Sequence, residues 1–447
     1  MSSGSTTAST TISTASSDRV ADQSIYYAAP STPDRMKIAD IDAYALSSPI
    51  DPPQECRFHG GVRTLYKRDF VLVVVETADG ERGFAPAGAS SSAMREFFEG
   101  ASQRDFAGTI ETEIGPALEG AELDDPADVH DLDLDADVSG IVASQTLSTI
   151  DVALHDIAGK RRGVPVHELL SPKEYEPTTD LPLYASAGMY MEPAGYAEQA
   201  RLVEECGFFG YKYRPGVGPE ADRRTAALLD EAVNETELMA DAHTWWKLED
   251  PYTEAERADV IRSYADHAFY WLEEPVGPDD YEGYRALDGE TAVPLAGGES
   301  EESPAGLRAL GETGAVEFLQ GDVRHHRGFT GCRAAAEWCE GRKVAFVPHN
   351  FGTWLGLVAN AHLVAATPGT ELVEYPVFED DPVLDASGDP GMYPFELAFD
   401  VIEGAPDVTD GHLTVPEGPG LGVDIDLGVV EEYPFVEGPW TAFDYDG

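Results

Sequence analysis

The sequence predicts an α/β fold: a (β/α)8 barrel preceded by an α+β region. Two observations carry the barrel. Eight short apolar runs recur between Leu181 and Glu374, and a helical segment separates most neighbours, which is the alternation such a barrel requires. A third observation sets the preceding region apart: strands come first there and helices after. At 447 residues the chain is too long for one ordinary core, and its 42% apolar content excludes a wholly disordered chain.

Ordered sequence is expected from about Arg35, after a Ser/Thr-rich tail over residues 1–34. Met36 to Ala45 reads as a strand. Phe70 to Glu76 (FVLVVVE) is a β-branched run, followed by a turn at Ala78-Asp79-Gly80 and a strand near Arg82 to Ala85, a hairpin signal. Ser47 to Tyr66, rich in Pro and Gly, reads as a loop carrying Arg57, His59 and Arg63. Helices are expected from about Ser90 to Leu118 and from Gly140 to Ala158, with the acidic stretch Glu119 to Asp137 a solvated loop between them. The eight runs are LPLYASAG from Leu181, FFGYKYR from Phe208, ELMADAH from Glu237, FYWLEEP from Phe269, VPLAGGE from Val293, VEFLQGD from Val316, KVAFVPH from Lys343 and ELVEYP from Glu371. Ala194 to Cys206, closed by Gly207, is one of the intervening helices. The last stretch is Gly/Pro-rich with strand-like pieces such as HLTVPE, and reads as a return to the first region. The expected divisions are therefore 1–34, 35–175, 176–385 and 386–447.

Eighty-three acids against 29 bases leave a net charge of −54, and only seven of the bases are lysines. Such a surface repels nucleic acid and anionic lipid, so neither is expected as a partner. It reads as an adaptation to a high-salt cytoplasm, where screening removes self-repulsion. Cys56, Cys206, Cys332 and Cys339 form no C-x-x-C pair, so no disulfide framework or zinc ribbon is supported. There is no run of 18 apolar residues for a membrane span. Ser2 to Ser17 lacks the basic and apolar regions of a secretion signal, so a cytoplasmic protein is expected.

Catalytic groups of a barrel sit at the C-terminal ends of its strands. The polar residues ending runs two to eight are Lys212 and Arg214, Asp241 and His243, Glu273 and Glu274, Glu299, Asp322, His349 and Glu374. From Lys212 through Asp241, Glu273, Glu299, Asp322 and His349 to Glu374 the steps are 29, 32, 26, 23, 27 and 25 residues. Each is about one strand–helix unit, so these side chains should converge on one mouth. An isolated acid among 83 is ordinarily a solvated surface group. Three closing buried runs on successive strands (Asp241, Glu273, Glu299) are instead what a hard divalent cation needs, and unpaired they would cost several kcal/mol. Lys212 and Arg214 share a strand face and could bind a substrate carboxylate or neutralise the acids. Asp322 beside His349 would orient the imidazole and raise its basicity. His325 and His326 read as histidines satisfied in a polar loop, and His243 as a second acid/base group. Together this is a site for removing a proton α to a carboxylate.

These segments resemble the mandelate racemase/muconate-lactonizing branch of the enolase superfamily, over nearly all of the chain from Met36 onward. STIDVALHDIAGKRRGVPVHELL (Ser148 to Leu170) is similar to the segment that closes that family's capping domain. K-Y-R at Lys212, DAH, EEP, GGE, QGD and VPH resemble its strand-end motifs, AHLVAATPGTELVEY the segment with the eighth-strand acid, and VPEGPGLGVDID the C-terminal return. The resemblance implies an α+β capping domain, completed by the C-terminal segment, over a modified barrel. It implies one Mg2+ per subunit on Asp241, Glu273 and Glu299, with Glu274 in support, and a small carboxylate substrate. His349 would be a base or acid oriented by Asp322, and Glu374 would hydrogen-bond the substrate carboxylate. Lys212 and Arg214 would contact substrate, and the capping loop with Arg57, His59 and Arg63 would close over its distal end. A homo-oligomer, dimer to octamer, is also implied. Two departures narrow the chemistry. Arg214 stands where the motif has a second lysine, and a guanidinium almost never loses its proton, which argues against a two-base racemase. Asp241-Ala242-His243 resembles the D-x-H of acid-sugar dehydratases. The expected activity is dehydration of an aldonate such as gluconate, galactonate, xylonate or arabinonate to a 2-keto-3-deoxy acid. The alternatives are a racemase, epimerase or cycloisomerase on the same scaffold, or a silent barrel with a binding role.

Overall fold

The computed structural model describes residues 35–88, 102–248, 252–376 and 396–445. The Ser/Thr-rich tail, the start of the helix expected from Ser90 and the division expected at 385 lie outside the described residues.

Two long strands, β1 (Met36–Phe58) and β2 (Gly61–Thr77), form an antiparallel hairpin, and β3 (Arg82–Ala87) pairs with the far half of β2. The run Val71 to Val75 is buried throughout, because both faces of this sheet are covered. The helix Gly140–Arg162 lies on one face, so close to β3 that a side chain at Gly83 would meet the Ala153 carbonyl. The helical stretch beginning at Gln103–Thr109 brings Phe106, Ile110 and Ile114 into the same core as Ile41.

The expected loop from Ser47 to Tyr66 is instead the outer half of this hairpin. β1 continues to Phe58, the chain turns at His59-Gly60 with Gly60 at φ +92°, and β2 begins at Gly61. Pro52 and Pro53 fall where the pairing shifts register between Pro49 and Gln54, a bulge that tolerates missing donors. The open edge of β2 is taken by the strand Thr441–Tyr445, pairing Leu65 with Thr441 and Gly61 with Tyr445. The C-terminal segment thus completes the N-terminal sheet. The acidic stretch Glu119 to Asp137 also departs from a plain loop: β4 (Glu122–Leu123) pairs with Met36–Lys37, and Pro126–Asp131 forms a 3-10 turn capped by Asp125.

All eight apolar runs form strands: β5 (Asp180–Met189), β6 (Gly210–Arg214), β7 (Glu237–Asp241), β8 (Trp271–Glu273), β9 (Leu295–Gly297), β10 (Phe318–Leu319), β11 (Ala345–Phe346) and β12 (Val373–Pro376). They pair in parallel in chain order from β5 to β11, and β12 pairs with β5. Asn350, just after β11, bridges to β12: its N–H donates to Glu374 Oε2 at 3.0 Å and its Nδ2 to the Glu374 carbonyl at 3.2 Å. His412–Thr414 extends the start of β5 in antiparallel register. The lower barrel is plugged by Tyr184, Met239, Trp271, Ala296, Val347 and Leu372. A side chain two residues further along each strand shares that inward face, so the polar strand ends stand on an apolar floor. Among the described residues no helix is long and apolar enough to cross a membrane.

Candidate active site

Lys212 occupies the centre of the barrel with no solvent exposure. Its Nζ lies 2.7 Å from Glu273 Oε1 and 2.8 Å from Glu374 Oε1. Burial alone would lower its pKa, but the two carboxylates hold it well above the usual lysine range. Removing one partner would leave a buried charge uncompensated, at a cost of about 3–5 kcal/mol. Beside it, Arg214 donates from Nη1 to Ser186 Oγ at 3.3 Å and brings Nε to 3.3 Å from Asp241 Oδ2.

Asp241 and Glu273 are register partners across β7 and β8. Asp241 Oδ1 accepts from the N–H of His243 and, at 2.7 Å, pairs with its Nδ1. Burial would raise the Asp241 pKa, but His243, Arg214 and Lys212 hold it low. Glu273 Oε2 accepts from Gln320 Nε2 at 2.7 Å and Trp271 Nε1 at 3.1 Å. Its carboxyl is pushed up to about 7, first by burial and then, against the pull of Lys212, by the charges of Asp241, Glu374 and Glu299. Glu274 turns the other way at φ +42° and accepts from Ser300 N–H and Oγ, steadying the loop that carries Glu299. Burial and the Glu299 charge lift Glu274 to about 8.

His349 stands between two acids, Nδ1 2.9 Å from Asp322 Oδ2 and Nε2 2.8 Å from Glu299 Oε2. Burial would lower its pKa, but Glu299 and Asp322 raise it to about 10, so the ring is an imidazolium here. Asp322 is fixed in turn by Arg324, whose N–H and guanidinium reach both carboxylate oxygens. Glu374 Oε2 is held by Tyr184 Oη at 3.2 Å and by the Asn350 N–H.

The structure thus brings Lys212, Arg214, Asp241, His243, Glu273, Glu299, Asp322, His349 and Glu374 to one end of the barrel. The capping-loop residues are placed less uniformly. Arg63 is buried on the inner face of the hairpin, its Nη1 3.1 Å from Met189 Sδ, and Met189 is the strand partner of Arg214. Arg57 is exposed, and His59 forms the turn, its N–H 2.8 Å from the Gly216 carbonyl. Sequence reasoning passed over Gln320, Asn350, Tyr184, Arg324 and Lys247. Lys247 Nζ lies 3.5 Å from Glu299 Oε1. Its rarity among seven lysines, the signal that singled out Lys212, was equally available for it.

Among the described residues no three His, Cys, Asp or Glu side chains converge closely enough to hold a metal, because Lys212, His243 and His349 take up the carboxylates. The donor chemistry nevertheless fits a hard divalent cation. The donors are all carboxylate oxygens, buried Asp241 Oδ2 accepts no hydrogen bond, and after burial the charges of Asp241, Glu374 and Glu299 also raise the Glu273 pKa, a repulsion that a cation would relieve.

Residues 48–171 match "Mandelate racemase / muconate lactonizing enzyme, N-terminal domain", and residues 195–429 match "Enolase C-terminal domain-like". The chain belongs to the enolase superfamily. Its relatives within the superfamily include a D-xylonate dehydratase of Haloferax volcanii, 29% identical over 69% of this chain and 73% of that protein. A D-galactarolactone cycloisomerase of Agrobacterium fabrum is 29% identical over 64% and 73%. A similar superfamily structure is the 3,6-anhydro-D-galactonate cycloisomerase of Zobellia galactanivorans, with a TM-score of 0.68 and 27% identity over 89% of this chain and 99% of that one. This superfamily member is an enzyme, on the strength of several dehydratase relatives.

Proposed function

We propose that this enzyme dehydrates a sugar acid of the aldonate class, such as gluconate, galactonate, xylonate or arabinonate. The observation that carries the reading is the pair of imidazoles flanking the central carboxylates, His349 on Asp322 and His243 on Asp241. Asp241, Glu273 and Glu299 would hold one Mg2+ per subunit, which when bound supplies positive charge against the negative charge developing on the substrate carboxylate.

His349 Nε2 is the atom that takes the C2 proton, while Nδ1–H stays donated to Asp322. It does so once Glu299 no longer faces it, since Glu299 is what keeps a proton on Nε2. Lys212, held cationic by its two carboxylates, supplies fixed positive charge to the ene-diolate. With Nδ1–H held by Asp241, His243 must enter the step as an imidazolium against the lowering effect of burial. It then donates its Nε2 proton to the departing 3-hydroxyl and is left neutral, and the enol left behind becomes a 2-keto-3-deoxy acid.

Cycloisomerisation is the second reading, favoured by the two relatives named for it. A two-base racemase is less well supported, because Arg214 is a guanidinium beside Asp241 and Lys212 sits between two acids. The test is a panel of acid sugars with Mg2+ in high salt, read by semicarbazide detection of 2-keto acids. A signal with one or a few aldonates supports dehydration. Solvent deuterium at C2 without keto acid supports the isomerase reading instead.

A further inference from the structure

We propose that Asp222 and Tyr252 are positioning residues that latch the tip of the β1–β2 hairpin onto the barrel, and that this latch governs substrate capture. The kinetic half rests on the sugar-acid reading above; the structural half does not. Arg214 at the end of β6 runs directly into a loop, Pro215 to Gly218, before the helix Pro219–Ala232 begins. The hairpin tip sits on this loop. His59 N–H donates to the Gly216 carbonyl at 2.8 Å, and the His59 ring meets the Tyr252 ring edge-on with centroids 5.5 Å apart.

The loop is costly to hold in place. Gly216 and Gly218 both adopt positive φ, +146° and +128°, and glycine loses the most freedom when ordered. What fixes it is Asp222. Its carboxylate accepts from Gly216 N–H at 3.1 Å and from Val217 N–H at 3.4 Å, and it also accepts the Tyr252 hydroxyl proton. That hydroxyl in turn accepts from Gly218 N–H at 2.9 Å. Asp222 is fully buried and Tyr252 nearly so, at 0% and 7% exposure. Neither forms an ion pair within 4 Å among the described residues, so the acid is kept not for charge pairing but for three backbone amides, one of them reached through Tyr252. The same loop is anchored on its other side by Thr244 Oγ1, which donates to the Pro215 carbonyl at 2.8 Å, and Thr244 follows His243. One hydrogen-bonded unit therefore joins two active-site strand ends to the tip of the capping hairpin.

Tyr252→Phe keeps the ring against His59 and removes only the hydroxyl. Hydrogen exchange of the His59 amide, which the latch protects, should speed up by about tenfold, the factor a lost buried hydrogen bond is worth. With a turned-over acid sugar, KM should rise by a similar factor while kcat stays within about threefold. Asp222→Ala should show the same split more strongly, and Asp222→Asn, which can still accept from the amides, should recover part of it. Unchanged His59 exchange in Tyr252→Phe overturns the latch. Faster exchange with KM unmoved, or a fall in kcat alone, overturns its role in capture. If no acid sugar is turned over by the unmodified enzyme, the sugar-acid reading fails and the exchange experiment still decides the latch.

Discussion

The imidazole of His349 donates from Nδ1 to the carboxylate of Asp322 across 2.9 Å, tying the end of β11 to the end of β10. This leaves Nε2 facing Glu299, and in the proposed mechanism Nε2 is the nitrogen that takes the proton. His349→Asn should therefore lower kcat by about 10³-fold, within the range a positioned base contributes. Asp322→Asn should lower it less, by about 10–10² fold, because the ring stays in place but loses its orienting charge. The melting temperature should fall in both variants, since the first strips Glu299 and Asp322 of the cation between them and the second strips Arg324 of its buried carboxylate. Turnover and thermal melts on the same preparations read both. Near-normal turnover in His349→Asn would remove it from the reaction.

The carboxylates crowded around Glu273 give a test of the proposed metal site that needs no substrate. Mg2+ at 100 times its dissociation constant should stabilise the fold by about 2.7 kcal/mol, seen as a rise in melting temperature. Glu273→Gln removes one of the two carboxylate partners of buried Lys212, so in metal-free buffer its fold should be less stable by about 3–5 kcal/mol, and the Mg2+ shift should shrink or vanish. Asp241→Asn should lose the shift as well. A full Mg2+ shift in both variants would place the ion elsewhere.

Much of this arrangement was legible because barrel strands are short and each ends in a polar residue. The eight runs place the strands, and steps of 23 to 32 residues between the polar ends of runs two to eight place the strand ends. What was not legible depends on partners distant in sequence. Prolines and glycines near Pro52 and Gly60 read as a loop, because nothing local reveals that Thr441–Tyr445 supplies a pairing edge. Gln320 and Asn350 were missed for a similar reason. An amide carries no charge pattern, and its role appears only once Glu273 and Glu374 are seen opposite it. The sequence also showed acids in need of a cation without showing that Lys212 and His349 already answer part of that need.

In the proposed mechanism His243 serves elimination alone, which separates dehydration from proton exchange. Its Nδ1 is engaged by Asp241 at 2.7 Å, so Nε2 is the nitrogen proposed to protonate the leaving hydroxyl. In D2O, His243→Asn should still exchange the C2 hydrogen of its substrate, through His349, while keto-acid formation falls by about 10²-fold or more. Parallel loss of exchange and elimination would mean that His243 acts on binding rather than on the leaving group.

A buried histidine pair outside the site makes the fold sensitive to acid. His362 Nε2 donates to the Leu421 carbonyl at 3.0 Å, so its Nδ1 must be the bare nitrogen that accepts from His167 N–H at 3.2 Å. The two rings stack with His167 Nδ1 only 3.1 Å away. A second proton on His362 would face donors on that side. Burial, with the neighbouring His167, accordingly holds its pKa down to about 3. The folded pKa lies below the unfolded value near 6.5. The stabilisation is therefore complete above about pH 6.5 and is lost as the pH falls toward 3. Between pH 7 and pH 4 this one group should remove about 3 kcal/mol of stability. Other groups titrate in the same window, so the comparison is with His362→Gln, which can keep a donor toward Leu421 without an ionisable ring. Denaturant melts at both pH values should show the unmodified protein losing more stability than the variant by that margin. Equal losses would mean that acid acts on the fold through other groups.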